Sequence, residues 1–278
     1  MALPSNARVL ICGAGYVGGE LARQLAAAGH HPIALRRRAE PIEGIETVSA
    51  DLTAKLTLPP NLEAIVYCAA ADERSDAAYQ RAYVDGVHNV IAAMRGTERL
   101  LFTSSTAVYA QDDGSIVDES SAVTAEGTAR FLLEGEALVH AAGGTVLRLA
   151  GIYGPGRDRI VRMVHEGSAR LGSGAFGNRI HQRDCAGALL HLLDLSDPAP
   201  TYVGVDLAQD LLDDVYTFVA GELGVATPEM GDGDARSRGT GRKRCTSALL
   251  RASGYTFQVP SYREGYRDAI DRLRSPPR

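Results

Sequence analysis

The chain is 278 residues long, 45% hydrophobic and 23% charged, with a formal net charge of -5. That length suits one large domain, or a domain with a lobe, and is ample for a sizeable core. The acidic balance argues against a nucleic-acid binder, which should carry a basic face. No stretch approaches the roughly 18 uninterrupted apolar residues that a membrane span needs, and MALPSNARVLI at the start has no apolar run ahead of a cleavage site. The four cysteines (Cys12, Cys68, Cys185 and Cys245) are far apart and form no CxxC or Cys/His ligand cluster, so no metal site is expected. Cys12 and Cys68 sit inside apolar runs and read as small core residues. A reduced, cytoplasmic setting fits this usage.

Ala7 to Leu35 holds the strongest local pattern. An aliphatic run (Val9, Leu10, Ile11) breaks into Gly13-Ala14-Gly15-Tyr16-Val17-Gly18. A helical spacing follows through Val17, Leu21 and Leu25 and stops at Gly29, before a second apolar run from Pro32 to Leu35. Strand, glycine turn, helix, strand is the order of a βαβ dinucleotide-binding unit. Gly13 allows the tight turn, Gly15 the close approach of backbone to a pyrophosphate, and Gly18 the packing of helix on strand. The free N–H groups and positive dipole end of the helix would face the phosphates.

Arg36-Arg37-Arg38 follows at the tip of the second strand, where an NAD-binding protein usually places an acid for the ribose hydroxyls. Guanidiniums there suit a 2′-phosphate. Hydrogen bonds to charged groups contribute about 1.5–3 kcal/mol each, enough to favour NADP over NAD. The expected cofactor is therefore NADP, with NAD possible, and Arg36 and Arg37 are the expected contacts. A solvated basic loop is the plainer alternative.

Ile45 to Asp51 reads as a third strand. Its terminal Asp51 is placed either to meet the adenine amino group or to cap a turn. Ala64 to Ala70 is fully apolar and reads as a buried parallel strand, with Ala69 and Ala70 small enough for a cofactor ribose to pass. Ser75 to Arg95 carries helical spacing through Tyr79, Tyr83, Val87, Val90 and Met94. Leu100 to Phe102 is the next strand, and it runs into Thr103-Ser-Ser-Thr-Ala-Val-Tyr109.

TSSTAVYA, VDESS (Val117 to Ser121) and TVLRLAGIYGPGR (Thr145 to Arg157), in this order, resemble the extended short-chain dehydrogenase/reductase superfamily. More narrowly they resemble the NAD-dependent epimerase/dehydratase family and its atypical members. Tyr83 to Val90, Asn178 to Asp184 and Ser261 to Tyr266 match as well, so the resemblance covers roughly residues 7 to 270. It implies a Rossmann-type doubly wound parallel sheet with a small C-terminal substrate lobe. It also places the catalytic hydroxyl at Ser105, four positions before Tyr109, at the carboxyl end of a central strand.

The family's Tyr-x-x-x-Lys pair has no match. Ala125 to Glu136 contains neither Tyr nor Lys: one register puts Thr128 and Leu132 in the two places, another Glu126 and Arg130. A tyrosine must move about three units from its free value near 10 to act near neutrality, roughly 4 kcal/mol of differential stabilisation, so the ordinary hydride chemistry is in doubt. Tyr109, Arg130 and Tyr153 are the candidate substitutes. Arg130 could steady a ribose or oxyanion but cannot be a base. Tyr153 could donate a proton, or simply pack.

The implied division is a cofactor domain over 1–156, completed by a returning strand near 201–207, and a substrate lobe over 157–278. Residues 157 to 182 read as irregular. His181 borders the cleft in the matching family segment, and Asp184 opens a helix as a cap or first-turn acid. Residues 231 to 251 carry Arg236, Arg238, Arg242, Lys243, Arg244 and Arg251 in a Gly-rich context. They read either as a loop closing over an anionic substrate or as a solvated loop. The expected partner is a small-molecule substrate, with no nucleic acid and no membrane, for a monomer or homodimer.

Two functions are open. One is an oxidoreductase or epimerase acting on a small sugar-derived or anionic carbonyl or hydroxyl carbon. The other is a catalytically silent NADP-binding redox sensor or regulatory protein.

Overall fold

β1 (Arg8–Cys12) is an aliphatic run with its last four residues buried, and Gly13, at φ +89°, turns it into α1 (Tyr16–Ala27). The computed structural model describes residues 2–38, 40–231 and 242–274. α1 buries Gly18, Leu21, Ala22 and Leu25 on one face. Gly29, at φ +85°, redirects the chain into β2 (His31–Arg36).

β3 (Glu46–Ser49) and the wholly buried β4 (Ala64–Tyr67) follow. Next come α2 (Asp76–Tyr79), a π-helical segment (Gln80–Asp85) and α3 (Gly86–Ala93). The chain continues through β5 (Arg99–Ser105), β6 (Ile116–Val117), α4 (Ala129–Ala141), β7 (Thr145–Leu149), β8 (Gly151–Tyr153), α5 (Arg159–His165) and β9 (Arg179–His181). It closes with α6 (Gln182–Asp194), β10 (Thr201–Gly204), α7 (Leu212–Leu223), β11 (Arg244–Cys245), α8 (Ala248–Ala252), α9 (Tyr262–Gly265) and α10 (Arg267–Arg274).

Seven strands form one parallel sheet in the order β10-β7-β5-β4-β1-β2-β3. Leu10 of β1 lies opposite Ile33 on one side and Ile65 on the other. The strand order reverses between β1 and β4, the kind of switch point at which open α/β sheets bind ligands beyond the carboxyl ends of their strands. The loops after β1, β2, β3, β4 and β5 all leave from that edge, and they carry most of the candidate site residues.

Several elements differ from the sequence expectation. The helix over 75–95 is interrupted by the π segment, where the Tyr67 hydroxyl donates to the Ala82 carbonyl, a common way to re-satisfy a carbonyl in such a bulge. The segment 126–141, whose sequence reads as one long helix, becomes helical only from Ala129, because Gly127 adopts φ +55°. Residues 157–182, read as irregular, contain α5 and β9. The run from Tyr262 to Arg274, whose sequence reads as one amphipathic helix, is broken at Tyr266. The tail at 275–278 and the segment 232–241, with Arg236 and Arg238, lie outside the described residues.

Two compact units emerge from this weave. The first comprises Met1–Val108, Val123–Leu149 and Cys185–Tyr202, and the second Tyr109–Ala122, Ala150–Asp184 and Val203–Arg278. The first has its core under the sheet, around Leu10, Ile33, Ile65, Tyr67, Val87, Phe102 and Val146. In the second, α5, α7 and α10 pack around Val161, Val164, Val215, Val219, Tyr262 and Ile270. β8 pairs with β9 and β6 with β11, both parallel. Among the described residues, no helix is long and apolar enough to cross a membrane.

Candidate functional site

The first unit carries a cleft of about 430 Å³ beside the β1–α1 turn, lined by Ala14, Gly15, Gly19, Arg23, Arg36, Pro41, Ile42 and Glu43. The turn is fixed by backbone bonds: Gly13 and Ala14 N–H groups donate to the Leu35 carbonyl at 3.0 and 3.2 Å, and Gly15 N–H donates to the Gly13 carbonyl at 2.8 Å. Among the described residues no side chain caps the start of α1, and its first turn holds no acid. An uncapped helix start with a positive dipole end favours an anion. Tyr16 and Val17, both half-buried, form its first positions.

The three motif glycines answer to different neighbours. A Cβ on Gly13 would lie 2.5 Å from the Cα of Ala69, and one on Gly18 2.6 Å from the Gly13 carbonyl oxygen and 2.9 Å from Ile11 Cγ2. The chain's own packing therefore demands both. A Cβ on Gly15 would meet nothing within 4 Å. Bareness at Gly15 serves no contact within the protein, and it leaves the backbone open to whatever enters the cleft. These residues fit a dinucleotide pyrophosphate.

Of the arginines after β2, Arg36 lines the cleft. Its Nη1 donates to the Glu40 carbonyl at 2.9 Å, and Nη2 stands 3.8 Å from the Glu40 carboxylate. Arg37 points elsewhere, both terminal nitrogens donating to Asp72 Oδ2 at 3.2 Å. Those bonds hold the Asp72 carboxyl below the usual carboxylate range. Asp51 lies just past β3, and its Oδ1 accepts from the Thr53 N–H at 2.9 Å and the Thr53 hydroxyl at 2.8 Å. These bonds lower its pKa, the backbone N–H foremost, and the geometry is an Asx turn. Ala69 is half-buried against Gly13, and Ala70 is exposed beyond β4. Gly19, Arg23, Pro41, Ile42 and Glu43 line the cleft outside the sequence-predicted set, and Arg23, on α1, is the cation among them. Its spacing from Gly15 and Gly19, four residues each time, is the signal that would have found it.

Ser105 ends β5, and its hydroxyl oxygen accepts from the Ala107 N–H at 3.1 Å, so it also shapes the turn. Arg130, at the start of α4, is ion-paired with Asp76, donates to the Gly127 carbonyl at 3.2 Å and stacks over the Phe131 ring at 4.5 Å. Leu132 is buried, Thr128 precedes the helix, and Glu126 is exposed. α4 thus presents neither a phenol nor an ammonium. What it does present inward is Glu136. Arg148 Nε donates to Glu136 Oε1 at 3.0 Å and Nη2 to Oε2 at 2.6 Å, while the Ser104 hydroxyl donates to Oε1 at 2.5 Å. This buried triad ties α4 to β5 and β7.

Tyr109 and Tyr153 belong to the second unit. Tyr109 is buried, and its carbonyl accepts from Lys243 Nζ at 2.7 Å. Burial lowers the Lys243 pKa, with Cys245 and Asp112 opposing the shift. Arg242 N–H donates to Asp112 at 2.9 Å and Arg244 to Gln209 at 3.2 Å, so the described part of the basic segment is built into its unit. Tyr153 is buried between His181 and Tyr266, ring centroids 5.2 and 4.8 Å away, and burial drives its phenol pKa well up. His181 accepts from the Arg183 N–H at 3.2 Å.

Asp184, expected as a helix cap or first-turn acid, is the acid in the first turn of α6, and it is fully buried and also clamps another segment. It accepts from the Tyr255 hydroxyl at 2.8 Å and from the Gln258 and Val259 N–H groups at 2.7 and 2.9 Å. Burial raises its pKa, and these bonds pull the other way. Asp206 lies against β9, its N–H donating to the Arg179 carbonyl at 2.7 Å. Burial pushes its carboxyl up to about 8, although Arg179 pulls it down.

The chain covers known proteins over nearly its whole length. It is 26% identical over 273 residues to protein YeeZ of Escherichia coli K12, covering 91% of this chain and 96% of YeeZ. A Methylobacillus flagellatus structure named for NAD-dependent epimerase/dehydratases is 31% identical with a TM-score of 0.80, over 98% of this chain and 100% of that one. The human epimerase family protein SDR39U1, solved with NADPH, shares the fold at 19% identity and a TM-score of 0.74, over 96% and 100% of the two chains. The model of the NAD dependent epimerase/dehydratase family matches residues 9–202. With strand order, glycine turn and family model in agreement, this chain belongs to the NAD dependent epimerase/dehydratase family.

Proposed function

We propose that this chain binds NADP(H), with NAD as the weaker ligand, and acts as an oxidoreductase or epimerase in the cytoplasm. Its substrate would be a small sugar-derived or anionic molecule, altered at a carbonyl or hydroxyl carbon. The observation that carries the reading is the cleft in which bare Gly15, an uncapped helix start and Arg36 stand together. Family membership and the NADPH bound by the human neighbour support it.

When bound, the dinucleotide supplies hydride exchange. The chain's own parts do the rest: the start of α1 takes the pyrophosphate charge, Arg36 takes the 2′-phosphate, and Ser105 holds a substrate oxygen at the end of β5. A second reading, an NADP-binding protein without turnover, is favoured by α4, where Leu132 is buried and Arg130 pairs with Asp76.

Calorimetric titration with NADPH and NADH, beside Arg36→Ala, tests the cofactor. NADPH should bind in the micromolar range, and the substitution should weaken it about ten-fold or more while sparing NADH. No binding of either nucleotide up to millimolar would refute the reading. A carbonyl panel then separates enzyme from silent binder: NADPH oxidation abolished by Ser105→Ala supports the enzyme, and silence across the panel supports the sensor.

A further inference from the structure

We propose that Arg23 and Arg36 form a two-guanidinium clamp for the 2′-phosphate of NADP(H), which makes Arg23 a specificity-determining residue. The inference rests on the dinucleotide reading above and adds a contact outside the βαβ motif.

Gly15, Gly19 and Arg23 fall four residues apart and therefore share one face of α1. All three line the cleft, and Arg36 lines it too. A Cβ on Gly19 would meet only Ala14 O at 3.7 Å and Ile42 Cδ1 at 3.8 Å. Those are ordinary contacts, so the chain's packing demands glycine no more at Gly19 than at Gly15. Gly15 is exposed and Gly19 is buried beneath Ile42, so the cleft wall from the phosphate end to Arg23 carries no side chain from these two turns. Long helical side chains lean toward the N-terminus, which brings the Arg23 guanidinium back over that wall.

Each guanidinium pairs with a carboxylate of its own segment, the half-buried Glu20 for Arg23 and the exposed Glu40 for Arg36. Arg23 Nη1 lies 3.3 Å from Glu20 and Arg36 Nη2 lies 3.8 Å from Glu40, with the Arg23 side chain 61% exposed. Surface pairs of this kind are weak. A phosphate monoester carries about 1.5–2 negative charges near neutrality and offers oxygens to two planar donors at once. Glu43, also on the cleft wall, opposes an anion there. Arg37 donates to Asp72 and is not among the residues that line the cleft.

The test is calorimetry on the full chain with NADPH, NADH and 2′-AMP, using Arg23→Ala, Arg23→Gln, Arg36→Ala and the double Arg23→Ala/Arg36→Ala variant. Thermal unfolding serves as the folding control, which an exposed Arg23 should pass. Arg23→Ala and Arg23→Gln should weaken NADPH and 2′-AMP about ten-fold and NADH less than about two-fold. The double variant should lose more than either single one. If wild type binds NADPH but the Arg23 variants bind it equally well, or lose NADH to the same extent, the clamp is overturned while the cofactor reading stands. If wild type binds neither dinucleotide, the cofactor reading itself fails and takes the clamp with it.

Discussion

Gly13→Ala and Gly15→Ala should fail in different ways. At Gly13 the new methyl would drive into the Ala69 backbone, and φ is +89°. A loss of about 2–4 kcal/mol in denaturant unfolding is expected, from overpacking plus a left-handed backbone. At Gly15 the methyl enters open space, so unfolding should shift clearly less than at Gly13. Dinucleotide affinity should nevertheless drop at least about ten-fold, because the backbone can no longer approach a pyrophosphate closely. Equal stability losses at the two positions would show that Gly15 is structural. The motif was fully legible in the sequence; that its three glycines answer to different neighbours was not, since Ala69 approaches Gly13 only through the pairing of β1 with β4.

α4 is held to the sheet at two points. Glu136 accepts from Arg148 and Ser104 with both charged side chains under 10% exposed, and a Cβ on Gly135 would lie 2.3 Å from the Tyr83 carbonyl oxygen. Glu136→Ala strands a buried guanidinium and should cost about 3–5 kcal/mol by denaturant unfolding. Replacing Glu136 and Arg148 together with apolar residues should cost markedly less than the single change. A double variant as unstable as Glu136→Ala would refute the pairing argument. Gly135 lowers the intrinsic helix propensity of α4. Packing overrides that, as the bare position is what lets α4 lie against the π segment. Equally, Glu136 carries no local signal in the sequence, because its partner Arg148 is 12 residues away on β7.

Across the whole molecule, the second unit should set part of the response to pH. Asp206 sits at about 8, raised by burial, against about 3.9 in an unfolded chain. Between those values the folded state keeps a proton that the unfolded state has released, so stability falls as pH rises from about 4 to about 8. Asp184 is raised as well and acts in the same sense. Asp206→Asn should flatten that slope and stabilise the protein relative to wild type at pH 8, by about 1–3 kcal/mol. Thermal unfolding at pH 5 and pH 8 checks this, and an unchanged slope would remove Asp206 as its source.

The sequence by itself determined the βαβ start, the run of buried parallel strands and the family. Those depend on local periodicity, on glycines at fixed spacing and on short motifs in order, all of which are written along the chain. Tertiary structure alone decided which charges face which partners. Arg36 lines the cleft and Arg37 turns to Asp72, although the two are adjacent in the chain. Arg23 joins Arg36 because α1 and the loop after β2 are neighbours in space. Asp184 is the first-turn acid of α6 that its position in the chain suggests, but its clamp on residues 255–259 comes from packing alone. Hydrogen bonds and ion pairs reach only about 3–4 Å, so their partners are settled by how distant segments pack rather than by spacing along the chain.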